Sequence, residues 1–119
     1  PNVIMHTNST YPCPVEDLNL RYLEYLNAKH GFNRDIGYSG HEYGLVTTYA
    51  AVVMGSNWIE RHITKDRTWK GTDHSASLEP AGFSKLTRDL KATYQSLNYK
   101  EQEILDIEKP QRDKLKFSK

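Results

Sequence analysis

The feature that most constrains this chain is an alternation: three short apolar runs, each followed by a helical stretch. Val3-Ile4-Met5 carries β-branched residues and reads as a buried strand. Tyr11-Pro12-Cys13-Pro14 interrupts regular structure with two prolines. A helix is expected over about residues 15–29, with Val15, Leu18, Tyr22, Leu23 and Leu26 on one face, acidic Glu16 and Asp17 in its first turn, and Gly31 beyond its end. A second strand is expected over 35–39 and a second helix over 43–54. A third strand is expected over 58–64. After a polar loop over 65–79, Pro80 opens a third helix with a stripe of Phe83, Leu86, Leu90, Tyr94 and Leu97. Residues 99–119 read as a charged linker. Repeated strand–helix order predicts parallel strands with helices packed outside, as in a doubly wound sheet or a (β/α)8 barrel. Three such units are too few to close a barrel.

Bulk properties exclude several classes. Among 119 residues, 16 basic and 15 acidic side chains give a net charge of +1. That balance argues against a dedicated nucleic-acid binder. No apolar run approaches the roughly 20 residues needed to span a bilayer, and no secretory signal is recognisable, so the sequon Asn8-Ser9-Thr10 is read as unmodified. The one cysteine, Cys13, forms no internal disulfide, which fits a reducing cytoplasm. Both ends read as cut from something longer.

In either parallel architecture the functional site lies at the C-terminal ends of the strands. Side-chain alternation places Met5, Thr7 and Ser9 on one face of the first strand and directs His6 toward the helices. Ser39 and His41 share a face of the second strand. Trp58, Glu60, His62 and Thr64 share a face of the third, with Ile59, Arg61 and Ile63 on the helix side. Ser9, Ser39, His41 and His62 therefore converge on one mouth. Two imidazoles on neighbouring strands suit a divalent metal such as Mn, Fe, Co or Zn; each is also compatible with a hydrogen-bonded core histidine. The serines equally suit turn caps. In the long loop, Asp73 can accept sugar hydroxyls and His74 can ligate, or the loop is merely solvated. Tyr11 can contact a sugar or pack on the rim. No phosphate-cradling glycine loop or dinucleotide fingerprint is present.

Several motifs, in order, resemble the sialic acid synthase family. Thr10-Tyr11-Pro12 with Pro14-x-Glu16-Asp17-x-Asn19-Leu20-Arg21 is similar to the family's sixth strand and helix. Ile36-Gly37-Tyr38-Ser39-Gly40-His41-Glu42 is similar to the seventh strand. Glu60-Arg61-His62-Ile63-Thr64, then Trp69-Lys70-Gly71-x-Asp73-His74-Ser75-Ala76-Ser77-Leu78-Glu79-Pro80, is similar to the eighth strand and its loop. The resemblance runs over most of residues 1–112. It implies an α/β fold in which residues 1–98 are the last three βα units of a TIM (β/α)8 barrel, with 99–119 leading to a small antifreeze-like domain. It implies condensation of phosphoenolpyruvate with N-acetylmannosamine or its 6-phosphate, releasing phosphate.

On that resemblance His41 and His62 are the catalytic ligands of a divalent Mn or Mg. Ser39 and Ser9 lie near phosphoenolpyruvate, and Tyr11 and Asp73 bind the sugar. The enol carbon attacks an aldehyde polarised by the metal, water quenches the adjacent carbon, and phosphate leaves. The family's phosphoenolpyruvate-binding lysines belong to earlier strands, so the fragment is expected to be inactive alone. The full-length enzyme is expected to be a cytoplasmic, domain-swapped homodimer in which an arginine reaches the neighbouring sugar site. The alternatives are a synthase for legionaminic or pseudaminic acid, a non-catalytic fragment that self-assembles or complements another chain through its open strand edges, and a metal hydrolase using Glu60.

Overall fold

The computed structural model describes residues 2–71 and 74–117. Strands β1 (Val3–Thr7), β2 (Asp35–Gly40) and β3 (Trp58–Arg61) form one parallel sheet in the order β1-β2-β3. Helices α1 (Tyr22–His30) and α2 (Val46–Val53) supply the two crossovers, and α3 (Pro80–Ser96) packs against α2. The register places Thr7 beside Ser39, and Ser39 beside Glu60, so the C-terminal ends of all three strands lie level.

The core lies between the sheet and its helices. Leu23 and Leu26 of α1, Ile36 and Tyr38 of β2, and Ala51 of α2 are buried together, with Ile4 and Ile59 against them. Positions 4, 36, 38 and 59 obey the two-residue alternation of strands, so one face of each strand meets the helices. The other face carries Met5, Gly37, Ser39 and Glu60. At Gly37 an added Cβ would lie 2.9 Å from Trp58 Cβ and would also meet the Met5 thioether. Glycine therefore lets two bulky neighbours close over β2.

Several expected boundaries move, each for a local reason. Residues 15–29 are not one helix: Val15–Asp17 form a 3-10 turn, Asn19 adopts a left-handed conformation (φ 48°), and the α-helix starts at Tyr22. Asparagine tolerates that conformation better than most residues. Val15 and Tyr22 are consequently exposed, while Leu18, Leu23 and Leu26 stay buried. The second helix starts at Val46 rather than 43, because Gly44 (φ 77°) turns the chain there. The third strand ends at Arg61. Beyond it Ile63 bridges Leu78 in parallel, and Leu78 N–H donates to His62 O at 2.7 Å. The long loop thus folds back onto its own strand.

The segment expected as a charged linker is helical in its second half. A 3-10 turn (Asp106–Glu108) leads into α4 (Lys109–Phe117). The Glu108 carboxylate accepts the Leu105 N–H at 2.6 Å, and Pro110 lies in the first turn of α4, where its missing N–H is harmless. The radius of gyration is 18.6 Å, against roughly 13.5 Å for a compact chain of this length. Three strands and an extended tail do not enclose a complete domain core. Among the described residues no helix is long and apolar enough to cross a membrane.

Candidate functional site

The site forms where the chain leaves the three strands. His41 follows β2 and His62 follows β3, and their Nε2 atoms face each other at 3.3 Å. The backbone fixes both. His41 O accepts the Cys13 N–H at 2.9 Å, and His62 O accepts the Leu78 N–H. The ring of His41 is set by its other nitrogen, because Nδ1 lies 2.8 Å from Asn8 O. A carbonyl only accepts, so Nδ1 carries the proton and Nε2 keeps its lone pair toward His62. His41 is buried; His62 is half-buried.

Tyr11 closes one side of the pair. Its ring centroid lies 4.3 Å from that of His41 and 5.7 Å from that of His62, edge-on to both. Beneath them Ser39 Oγ donates to Glu60 Oε1 at 2.8 Å, joining β2 to β3 on the inward face. The structure thus brings together His41, His62, Tyr11 and Ser39 from the residues singled out in sequence. Ser9 is exposed, just after β1, one residue from the Asn8 carbonyl that orients His41. Asp73 lies outside the described residues. His6 faces the helices, as parity predicts, and donates through Nε2 to Leu18 O at 2.7 Å. His74 pairs through Nδ1 with Thr64 Oγ1 at 2.8 Å and stands edge-on to Trp69, so it braces the loop.

A polar network that sequence reasoning missed lies behind the histidines. Glu42 is fully buried and Arg61 nearly so. The Glu42 carboxylate accepts from Tyr38 Oη (2.8 Å), Thr47 Oγ1 (2.6 Å) and Thr48 Oγ1 (3.3 Å). Arg61 Nη2 donates to Glu42 O at 2.7 Å, and Nη1 to Gly44 O at 2.8 Å and Thr48 Oγ1 at 3.0 Å. Burial pushes the Tyr38 hydroxyl far above the ordinary tyrosine range, reinforced by the Glu42 charge, so it stays a donor. Burial also lowers the Arg61 guanidinium from its usual value, opposed by Glu42. The signal available in sequence was the parity of Arg61, which put a charged side chain on the helix side.

The imidazole pair fits a transition metal. The 3.3 Å between the two Nε2 atoms would let both imidazoles serve one ion. A ligating histidine characteristically donates its second N–H to a carbonyl, as His41 does to Asn8. Among the described residues no cluster of three or more metal-binding side chains occurs.

The NeuB family profile matches residues 2–102. The chain is 43% identical over 112 residues to the human N-acetylneuraminate-9-phosphate synthase, covering 93% of this chain and 31% of that protein. It is 38% identical over 88 residues to the N,N'-diacetyllegionaminic acid synthase of Campylobacter jejuni, covering 74% and 26%. It therefore spans about a third or less of the length of these relatives. Among solved structures, the N-acetylneuraminic acid synthetase of Leptospira borgpetersenii superimposes with a TM-score of 0.78 at 32% identity, over 93% of this chain and 38% of that one. The three parallel strands match part of that family's TIM-barrel structures. With the family profile covering most of its residues, and with the histidine mouth assembled from the very motifs that carry the resemblance, the chain belongs to the NeuB family.

Proposed function

We propose that this chain is the closing third of a synthase barrel that condenses phosphoenolpyruvate with an N-acylated aminosugar and releases phosphate. The observation that carries the reading is the His41–His62 pair: two Nε2 atoms 3.3 Å apart, one ring oriented by a backbone carbonyl, at the C-terminal ends of adjacent parallel strands. Metal bound there acts as a Lewis acid toward the sugar aldehyde. Imidazole donors favour a transition ion such as Mn over Mg.

The chain's own residues do the rest. His41 presents its Nε2 lone pair to the mouth, and His62 Nε2 lies 3.3 Å from it. Tyr11 shields one side of them and offers an aromatic edge and a hydroxyl to the sugar. Ser39 and Glu60 form a polar floor, with Ser39 toward the phosphoenolpyruvate, and Ser9 and Asp73 complete the substrate contacts. In the reaction the enol carbon bonds to the aldehyde carbon, whose oxygen becomes a hydroxyl. Water adds to the neighbouring carbon, and the phosphate ester then leaves as inorganic phosphate, giving a 2-keto acid.

The acceptor is N-acetylmannosamine 6-phosphate. The relatives with 43% identity are named 9-phosphate synthases. Three carbons added at C1 of a six-carbon sugar turn a C6 phosphate into a C9 phosphate. The lysines that bind phosphoenolpyruvate come from the rest of the barrel, and the working protein is a cytoplasmic, domain-swapped homodimer. The free thiol of Cys13 accords with a reducing compartment.

A chimera tests this. Residues 2–112 replace the aligned third of a complete N-acetylneuraminate-9-phosphate synthase, and phosphate release is followed with either acceptor. Mn-dependent release with the 6-phosphate, lost in His41→Ala, supports the reading. A folded chimera working only with a legionaminic-type precursor would move the assignment within the family, and Mn-independent release would remove the metal site.

A further inference from the structure

The two histidines are each flanked by one member of the buried pair: His41 precedes Glu42, and Arg61 precedes His62. We propose that Arg61 and Glu42 are positioning residues that set the separation and orientation of the His41 and His62 rings. The proposal rests on the metal-binding reading for its purpose, but the positioning itself is a property of the metal-free chain.

Geometry is the first argument. Arg61 is the last residue of β3, so its backbone fixes where His62 departs. Its guanidinium reaches across to the chain that has just left β2, binding the carbonyls of Glu42 at 2.7 Å and Gly44 at 2.8 Å. One rigid planar fork therefore joins the residue before one histidine to the turn after the other. A lysine, with a single ammonium, cannot reproduce that fork. Glu42 holds the same turn from the opposite side. Its carboxylate gathers the hydroxyls of Tyr38 on β2 and of Thr47 and Thr48 on α2. Gly40 is required for this closeness: an added Cβ would lie 2.5 Å from Glu42 Oε1 and 3.0 Å from Arg61 Cδ.

Energetics is the second argument. The Arg61–Glu42 ion pair is long, 3.9 Å, with both side chains essentially without solvent contact. Arg61 Nε is buried with no hydrogen-bond partner among the described residues. Buried ion pairs seldom stabilise more than well-packed apolar residues of the same volume, and an unmet buried donor adds a penalty. Stability alone does not account for the arrangement, whereas fixing two ring positions across adjacent strands does.

The ring centroids of His41 and His62 are 5.0 Å apart, close enough for nuclear Overhauser contacts between their imidazole protons. These are measured in the metal-free form of the full-barrel chimera described above, isotopically labelled at histidine, for wild type, Arg61→Met, Arg61→Lys and Thr48→Val, with near-UV circular dichroism reporting packing. Thr48→Val removes one hydroxyl shared by both charged groups and is the mild variant should Arg61→Met not fold. The contacts are expected to vanish in Arg61→Met, weaken severalfold in Arg61→Lys and weaken least in Thr48→Val. Mn binding, followed by the free-ion paramagnetic resonance signal, is expected to weaken in the same order, by tenfold or more in Arg61→Met. Wild-type ring contacts in folded Arg61→Lys and Thr48→Val would overturn the positioning role. Normal ring contacts in wild type, lost in the variants, together with no Mn binding in wild type, would instead overturn the metal reading and leave the positioning role standing.

Discussion

The ring of Tyr11 stands edge-on to His41 with centroids 4.3 Å apart and planes at 60°. Aromatic pairs in this geometry contribute about 0.5–1.5 kcal/mol beyond the area they bury. Tyr11→Ala is therefore expected to loosen the histidine pair and weaken Mn binding by roughly two- to tenfold. Tyr11→Phe keeps the edge and should keep the metal affinity, while raising KM for the sugar if the hydroxyl contacts it. Titrating Mn into both variants, and assaying both in the complete enzyme, separates packing from substrate contact. Equal metal affinity in Tyr11→Ala would show that the ring only lines the pocket.

Removing one imidazole has a sharper consequence. His41 contributes one of the two nitrogens, and its tautomer is fixed by the Asn8 carbonyl. In the complete enzyme, His41→Ala and His62→Ala are each expected to abolish Mn-dependent activity, since each removes one of the two imidazoles that meet at the mouth and a single one binds weakly. Activity is measured across a Mn titration after chelator treatment. Unchanged Mn dependence in both variants would place the ion elsewhere.

The alternation of strand and helix, and the face each strand shows to the helices, were legible because burial is periodic: Ile4, Ile36, Tyr38 and Ile59 obey the two-residue rule. That same rule placed His41 and His62 at one mouth. What was not legible depends on groups without a side-chain signature. Asn19 breaks the first helix through a backbone angle. Asn8 orients His41 through its carbonyl, which every residue type possesses. The Arg61 fork binds two carbonyls of a turn whose path only the folded chain defines. The helix over 109–117 was hidden because it is only nine residues long and dominated by charged side chains, too short for an apolar stripe to repeat over several turns.

Alkaline pH offers a test of two hydrogen-bonded phenols, the buried Tyr38 and the half-buried Tyr49. Burial, then the Glu42 charge, raises Tyr38 beyond the tyrosine range, and burial with a hydrogen bond to Asp89 pushes Tyr49 up to about 12. Each folded-state value exceeds the unfolded value of about 10. The protonated phenols therefore contribute stability that is fully present below about pH 10 and is lost as pH rises toward the folded values. The urea midpoint is expected to hold steady to about pH 10 and then fall. Tyr49→Phe should flatten the part of that fall below about pH 12, because it removes one titrating phenol and its 2.8 Å bond to Asp89. A midpoint insensitive to pH above 10, or an unaltered slope in Tyr49→Phe, would contradict this.

The return from α2 to β3 depends on Gly55. Its φ of 109° lies where side chains are rarely tolerated, and an added Cβ would also collide with the Asn27 amide. That amide cannot easily withdraw, because Asn27 Nδ2 donates to Leu23 O at 3.0 Å and to Gly55 O at 3.1 Å, tying α1 to the end of α2. Gly55→Ala is expected to destabilise the chain by about 1–3 kcal/mol from backbone strain, and by more if the amide bonds break. Asn27→Ala alone removes the bonds but leaves the glycine unstrained. In the double variant the collision is gone, so the two losses should sum to more than the measured total. Denaturant unfolding of the three variants reads this coupling directly. Strict additivity would mean that strain at Gly55 acts alone and that the Asn27 amide yields freely.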